Sequence, residues 1–329
     1  MSFNDTQLER FRTKCKCDFL QDIVLYTDEE LAKRSNYSIT ECQQILNQVS
    51  RTIIHPIQSN QLKTDVLSIG DDTLNEFFNG GLMVGQVTEI YGESGTGKSS
   101  FAMQMSLQCQ LPEELGGLDG GALYVSTSGR FSIRRLEQLV KSFANLYAIE
   151  GDASFMDQIY IIHIRDLETQ NHILAYQVPV FVQKYHIRLL VIDSITPNFR
   201  GLEEGGSLDI KARSHHIYQT GQLLKQLASQ FNMVVLCINE VSANFSNLIN
   251  IGASQFGGTL YSQDQIDLHE STIPALGLSF SNCIHNRIRF DKIIIGDRSK
   301  RTMRMVFSPY CPPSTVLFEV TENGFKGIT

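Results

Sequence analysis

Residues Gly92-Glu93-Ser94-Gly95-Thr96-Gly97-Lys98-Ser99 set a glycine, four further residues, then Gly-Lys-Ser. That is the P-loop pattern, and a phosphate chain explains its spacing. Glycines let the backbone wrap phosphates with its N–H groups pointing inward and no Cβ in the way. Lys98 would bring a mobile positive charge to the β- and γ-phosphates. Ser99 would place its hydroxyl on Mg²⁺. A helix starting here, through Ser99 and Ser100, adds its positive dipole end. The candidate nucleotide-binding residues are therefore Gly92, Glu93, Ser94, Gly95, Thr96, Gly97, Lys98, Ser99 and Ser100.

Four fixed positions recur by chance in roughly one chain of this length in a hundred, so the flanks decide. Gln86 to Tyr91 reads as a short apolar strand leading in. Phe101, Met105 and Leu107 form an apolar face on a proline-free run leading out. Strand, loop, helix is the required setting. A second group belongs at a neighbouring strand tip. Leu189-Leu190-Val191-Ile192-Asp193 is an aliphatic run ending in an acid, as a buried parallel strand would read. Ligands sit beyond the C-terminal ends of such strands. Asp193 would hold water on Mg²⁺ there, which makes Ser99 and Asp193 the candidate metal residues. Hydrolysis needs another carboxylate to orient or deprotonate water. The tip of the strand Ala122–Ser126 is the natural place, yet Thr127-Ser128-Gly129-Arg130-Phe131 contains no acid. Glu93 lies inside the loop itself, where its side chain is expected to face away from the phosphates.

The elements that must hold these groups follow from periodicity. Short apolar strands are expected near 86–91, 121–126, 158–164, 187–193 and 233–238. Amphipathic helices are expected near 98–110, 132–147, 168–185 and 208–231. Alternation of this kind implies βαβ units and a mainly parallel α/β sheet. Arg287–Ile295 and Thr302–Phe307 flank a polar turn and read as a hairpin, adding antiparallel strands at one edge. Residues 1–52 differ. Thr27-x-x-Glu30 and Ser38-x-x-Glu41 are capping boxes, and Cys42, Ile45, Leu46 and Val49 share one helical face. This predicts a small helical domain or, alternatively, a helical cap on the main one. Residues 53–66 read as a linker and 67–329 as the core domain.

Composition narrows the classes. The chain has 329 residues, 42% of them hydrophobic, and a net charge of −7. That argues against a surface coated in positive charge for bulk nucleic-acid binding, though not against a local basic groove. Seven cysteines include no C-x-x-C pair, so buried thiols in a reducing compartment are expected. The polar start predicts no secretory signal, and no apolar run reaches the ~20 residues that span a bilayer. A soluble intracellular protein with no membrane partner is the expectation.

From Leu67 onward the motifs resemble the ATPase core of RecA-family recombinases of eukaryotes and archaea. The likeness is carried by Leu67-Ser68-Ile69-Gly70, Gly80-Gly81-Leu82 and Gly85 through Gly92. It continues through Leu123–Thr127, Arg134-Arg135-Leu136, Val191–Ser194 and Val235–Val241. Gly116-Gly117-Leu118, Ile195–Arg200 and Cys311-Pro312-Pro313-Ser314 are similar to the paralogue branch, of the Rad-fifty-seven and X-ray-repair-cross-complementing-three type. The resemblance implies a RecA-like fold with ATP and Mg²⁺ as cofactors. It also implies a nuclear role in homologous recombination, a second paralogue as heterodimer partner, the main strand-exchange recombinase and single-stranded DNA.

Three departures qualify it. The family places its hydrolytic glutamate where this chain has Ser128, and a hydroxyl cannot act as a general base at neutral pH. The family's Asn-Gln-Val reads Asn239-Glu240-Val241 here, making Asn239 and Glu240 the γ-phosphate sensor candidates with an acid in place of the glutamine. Residues 53–66 lack the phenylalanine of the family's self-polymerising tether. By resemblance two DNA-facing loops span about 198–212 and 242–275, with Arg200, Lys211 and Arg213 as candidate contacts. Ser308 through Pro313 matches the segment that caps ATP of an adjacent subunit, or is a plain loop. The expected function is an ATP-binding recombination mediator with weak or absent hydrolysis. The alternatives are a DNA-stimulated ATPase completed in trans and a nucleotide-independent scaffold. More distant is a ring helicase or clock-type ATPase on the same core.

Overall fold

A computed structural model of the chain describes residues 3–17, 20–53, 65–127, 129, 131–147, 153–200, 207–243, 272–295 and 298–328. The chain forms two compact units, Met1–Lys63 and Thr64–Thr329. In the first, α1 (Asp5–Cys15), α2 (Asp28–Ser35) and α3 (Ile39–Ile53) enclose Phe11, Ile23, Leu31, Cys42, Ile45 and Val49. Thr27 and Glu30 exchange the two bonds of a capping box, as do Ser38 and Glu41. The expected linker falls almost wholly on residues 54–64, outside the described residues.

The second unit begins with β1 (Val66–Leu67), α4 (Asp72–Phe77), β2 (Leu82–Met83), β3 (Val87–Gly92) and α5 (Lys98–Gln108). Then come β4 (Gly121–Ser126), α6 (Ile133–Tyr147), α7 (Ala153–Asp157), β5 (Ile159–His163), α8 (Leu167–His172), α9 (Val178–Tyr185) and β6 (Ile187–Asp193). It continues with α10 (Pro197–Arg200), α11 (Ser207–Gln230), β7 (Val234–Asn239), β8 (Val241–Ala243), β9 (Thr272–Pro274) and α12 (Gly277–Ser281). β10 (Asn286–Ile295), β11 (Arg298–Phe307), β12 (Thr315–Thr321) and β13 (Gly324–Ile328) complete it.

Nine strands form one sheet in the order β13-β12-β11-β10-β3-β7-β6-β4-β5. Pairing is parallel from β10 to β5 and antiparallel from β10 to β13, an α/β sheet with an antiparallel edge. The central strands are buried on both faces, which is why they read as continuous apolar runs. One face packs on α5 and α6 around Phe101, Tyr124 and Phe290, the other on α9 and α11 around Leu190, Ile192 and Leu224.

Several expectations need correction. The anticipated hairpin is present as β10 and β11, which pair antiparallel at the edge, and β10 in addition pairs in parallel with β3, the P-loop strand. β12 and β13 extend the edge and had no expectation in the sequence. The helix expected over 168–185 is interrupted by a π turn at Ile173–Gln177. Pro179 lies just beyond it, and a proline cannot donate the next i→i−4 bond, so the helix re-registers there. The loop expected over 198–212 is largely helical. α10 takes residues 197–200 and α11 starts at Ser207, so Lys211 and Arg213 stand on a helix. Leu208, Lys211 and Ala212 are good helix formers, which favours helix from Ser207 on.

Aromatic packing supports the P-loop from below. Phe101, on the first turn of α5, meets Phe290 of β10 at 5.7 Å and Phe325 of β13 at 5.4 Å, both edge-on. Replacing Phe101 by Ala removes the ring that joins helix to sheet. Phe101→Ala is expected to lose about 3–5 kcal/mol, read as a lowered denaturant midpoint of the second unit.

Candidate nucleotide site

β3 delivers the chain to the loop through Gly92, whose φ is +153°. A Cβ built there would lie 2.1 Å from the Phe290 carbonyl oxygen, so the close approach of β10 makes glycine necessary. Gly97 ends the loop at φ +112°, above Val320 and Phe325, and α5 starts at Lys98. Lys98 Nζ donates to the carbonyls of Gly92 and Glu93, each at 2.7 Å, so the ammonium is held against the loop backbone. Burial pulls its pKa down, while Asp193 and Glu93 act in the opposite direction. Thr96 is buried, and its hydroxyl donates to the Glu93 carbonyl at 2.9 Å. Glu93 itself is exposed.

A cavity of about 380 Å³ opens at the tips of β3, β6 and β7. Lys98, Ser99, Asp193, Ser194 and Glu240 are among its lining. Asp193 Oδ2 accepts the Tyr124 hydroxyl at 2.5 Å. The β4 tip is tied to the same turn, where Thr127 N donates to the Asp193 carbonyl at 2.9 Å and Ser194 N to Thr127 Oγ1 at 3.0 Å. Ser194 Oγ lies 3.4 Å from Glu240 Oε1. Ser128 lies outside the described residues, as does most of the span 242–275.

Asn239 and Glu240 part company. Glu240 faces the cavity, whereas Asn239 is fully buried and both ends of its amide are engaged. Its Nδ2 donates to Glu89 Oε1 at 2.6 Å, and its Oδ1 accepts the Thr196 hydroxyl. Asn239 is therefore a structural tie, and the sensor assignment reduces to Glu240. Glu89, in the middle of β3, also takes Arg287 Nε of β10. Burial pushes the Glu89 carboxyl pKa up, against the pull of Arg287 and Asn239. None of the DNA candidates is among the residues lining this cavity. Lys211 is exposed on α11, Arg213 donates to the Ala275 carbonyl at 3.3 Å, and Arg200 ends α10.

Hard oxygen donors from Ser99 and Asp193 beside Lys98 fit Mg²⁺ carried by a nucleotide. Among the described residues no group of three or more His, Cys, Asp or Glu could hold a metal unaided.

Residues 61–328 match the profile of the Rad51 family. The chain belongs to the Rad51 family. It is 32% identical over 312 residues to the DNA repair protein rhp57 of Schizosaccharomyces pombe, covering 88% of each chain. It is 31% identical over 277 residues to the DNA repair protein XRCC3 of Bos taurus, covering 80% of this chain and 74% of the other. The DNA repair and recombination protein RadA of Methanocorpusculum labreanum is 28% identical over 342 residues, 94% of each chain.

In this Rad51-family chain, sequence reasoning missed Glu89, Arg287, Thr127, Thr196 and Tyr124. Only Glu89 left a signal, as a lone acid inside an apolar strand. Its pair with Arg287 is withdrawn from water, with Glu89 0% exposed. Removing one partner of such a pair strands the other charge. Arg287→Met is expected to cost about 3–5 kcal/mol in denaturant unfolding, and the double variant Glu89→Gln with Arg287→Met distinctly less.

Proposed function

We propose that the chain is an ATP-binding recombination mediator. It acts in the nucleus, in homologous-recombination repair of double-strand breaks. There it assists assembly of the main recombinase on single-stranded DNA, as a heteromer with another paralogue. Lys98, Ser99 and Asp193 hold the Mg²⁺ nucleotide, and hydrolysis is weak or absent. Membership of the Rad51 family and relatives named as DNA repair proteins support the repair role.

The observation that carries the nucleotide reading is convergence. The loop after β3 brings the Lys98 ammonium and the Ser99 hydroxyl, and the β6 tip the Asp193 carboxylate, to one cavity at the end of a parallel sheet. A triphosphate entering it would exchange the loop carbonyls for phosphate oxygens at Lys98 Nζ, a charge-assisted gain. Bound Mg²⁺ would neutralise phosphate charge there. Ser99 and Asp193 would orient it and its waters.

Weak turnover follows from the residues after β4. Thr127 to Phe131 supply no carboxylate, and losing a general base typically costs ~10²–10⁴ in rate. Nucleotide then acts through binding energy, by ordering an interface. The test is direct. The wild-type chain is expected to bind ATP with Mg²⁺ and to turn over near background with or without single-stranded DNA. Lys98→Ala is expected to weaken binding at least tenfold in equilibrium titration and to impair repair in cells. Robust DNA-stimulated hydrolysis by the isolated chain sinks the mediator reading, and unimpaired repair in Lys98→Ala favours a scaffold.

Glu240 adds a second negative group to the cavity. Near a γ-phosphate a carboxylate is repulsive, and an amide of the same shape is not. Glu240→Gln is expected to tighten a non-hydrolysable ATP analogue by about tenfold and to leave ADP nearly unchanged. Isothermal titration with both ligands reads this out.

A further inference from the structure

Tyr124 touches the site from behind. It lies on β4, in the strand pairing with β6, and is 1% exposed. Its O–H donates to Asp193 Oδ2 at 2.5 Å. The Ser99 side chain sits against the same phenol. One hydroxyl therefore contacts both residues assigned to the metal, and those residues come from separate elements, β6 and α5. The ring is itself aimed. Phe131 meets it edge-on, centroids 4.8 Å apart and planes at 78°. Phe131 follows the β4 tip, so the segment next to the expected hydrolytic position helps set the angle of the phenol.

A buried phenol requires a partner, and a backbone carbonyl would meet that need. Here the partner is a cavity-lining carboxylate. An ionised carboxylate has about four lone-pair sites, so fixing Oδ2 leaves Oδ1 available and stops rotation of the group. Orientation matters because Mg²⁺ demands near-ideal octahedral geometry from few protein oxygens.

We infer that Tyr124 is a metal-positioning residue, whose hydroxyl holds the Asp193 carboxylate and the Ser99 side chain in the mutual orientation a nucleotide-bound divalent cation requires. The inference rests on the nucleotide reading above. Removing groups that orient metal ligands typically costs 10–100-fold in metal affinity.

The test uses the full chain and Tyr124→Phe, which keeps the ring and its contact with Phe131 and removes only the oxygen. Binding of N-methylanthraniloyl-ATP is titrated with Mg²⁺, repeated in excess EDTA, and accompanied by thermal melting. The Mg²⁺ concentration at half-maximal binding is expected to rise about tenfold or more, with EDTA binding and melting midpoint unchanged. An unchanged Mg²⁺ half-point overturns the inference and leaves the nucleotide reading standing. Equal weakening with and without Mg²⁺ together with a lowered melting midpoint also overturns it, because the hydroxyl then serves packing. A wild-type chain that shows no Mg²⁺-dependent binding overturns the nucleotide reading and the inference with it.

Discussion

The carboxylate of Glu89 has no access to water, and the arrangement of the sheet's C-terminal edge follows from how it is satisfied. Burying an ionised acid is costly unless it is both paired and hydrogen-bonded. Arg287 answers one oxygen from β10 and Asn239 the other from β7. Asn239 then takes the Thr196 hydroxyl, and that same oxygen accepts Glu240 N at 3.1 Å. A chain of polar contacts thus crosses from the strand before the P-loop to the turn after Asp193 and on to the cavity wall. Each link is in the low-dielectric interior, where a satisfied network is rigid and a broken one expensive. The positions of Lys98, Asp193 and Glu240 relative to one another depend on it.

Charge sets what that framework can accept. Among the described lining residues Lys98 is opposed by Asp193 and Glu240. Phosphates bring more negative charge, so the site needs a divalent cation to bind them well. On the proposed reading Asp193 meets that need through the ion. Glu240 has no such obvious role, and its Ser194 neighbour is neutral. On the proposed reading the balance favours a metal nucleotide over a bare one, and Glu240 would repel a terminal phosphate.

Much of this could be read in the residues, because its signals are local. The P-loop is a contiguous string, Asp193 ends a contiguous apolar run, and the central strands announce burial by lacking alternation. What escaped reading was non-local. Tyr124 and Asp193 are 69 positions apart and Asn239 and Glu89 are 150 apart. Nothing near Tyr124 distinguishes a metal-orienting phenol from a core aromatic. Asn239 and Glu240 are neighbours in one motif, yet they meet different surroundings, Asn239 buried against Glu89 and Glu240 on the cavity wall. The DNA-facing span that the resemblance implies, about 198–212, overlaps the helix that periodicity predicts over 208–231, and Lys211 and Arg213 lie on that helix.

A switch that binds without cleaving has a particular thermodynamic character. Nucleotide can shift an assembly equilibrium only by the difference in its affinity for the assembled and free states. Moving a pair from about 1:99 to 99:1 takes roughly 5.5 kcal/mol of differential binding. The exchange of loop carbonyls for phosphate oxygens at Lys98 takes place within this chain alone, so on the proposed reading it contributes equally to the free and the assembled states. The differential must then come from groups that meet the nucleotide only in the complex, supplied by a neighbouring subunit. Release, without a hydrolytic base, falls to dissociation of nucleotide or partner. On the proposed reading the chain is therefore a reversible clamp set by ATP concentration and partner concentration together, and its two halves are thermodynamically reciprocal: whatever tightens the partner tightens the nucleotide by the same factor.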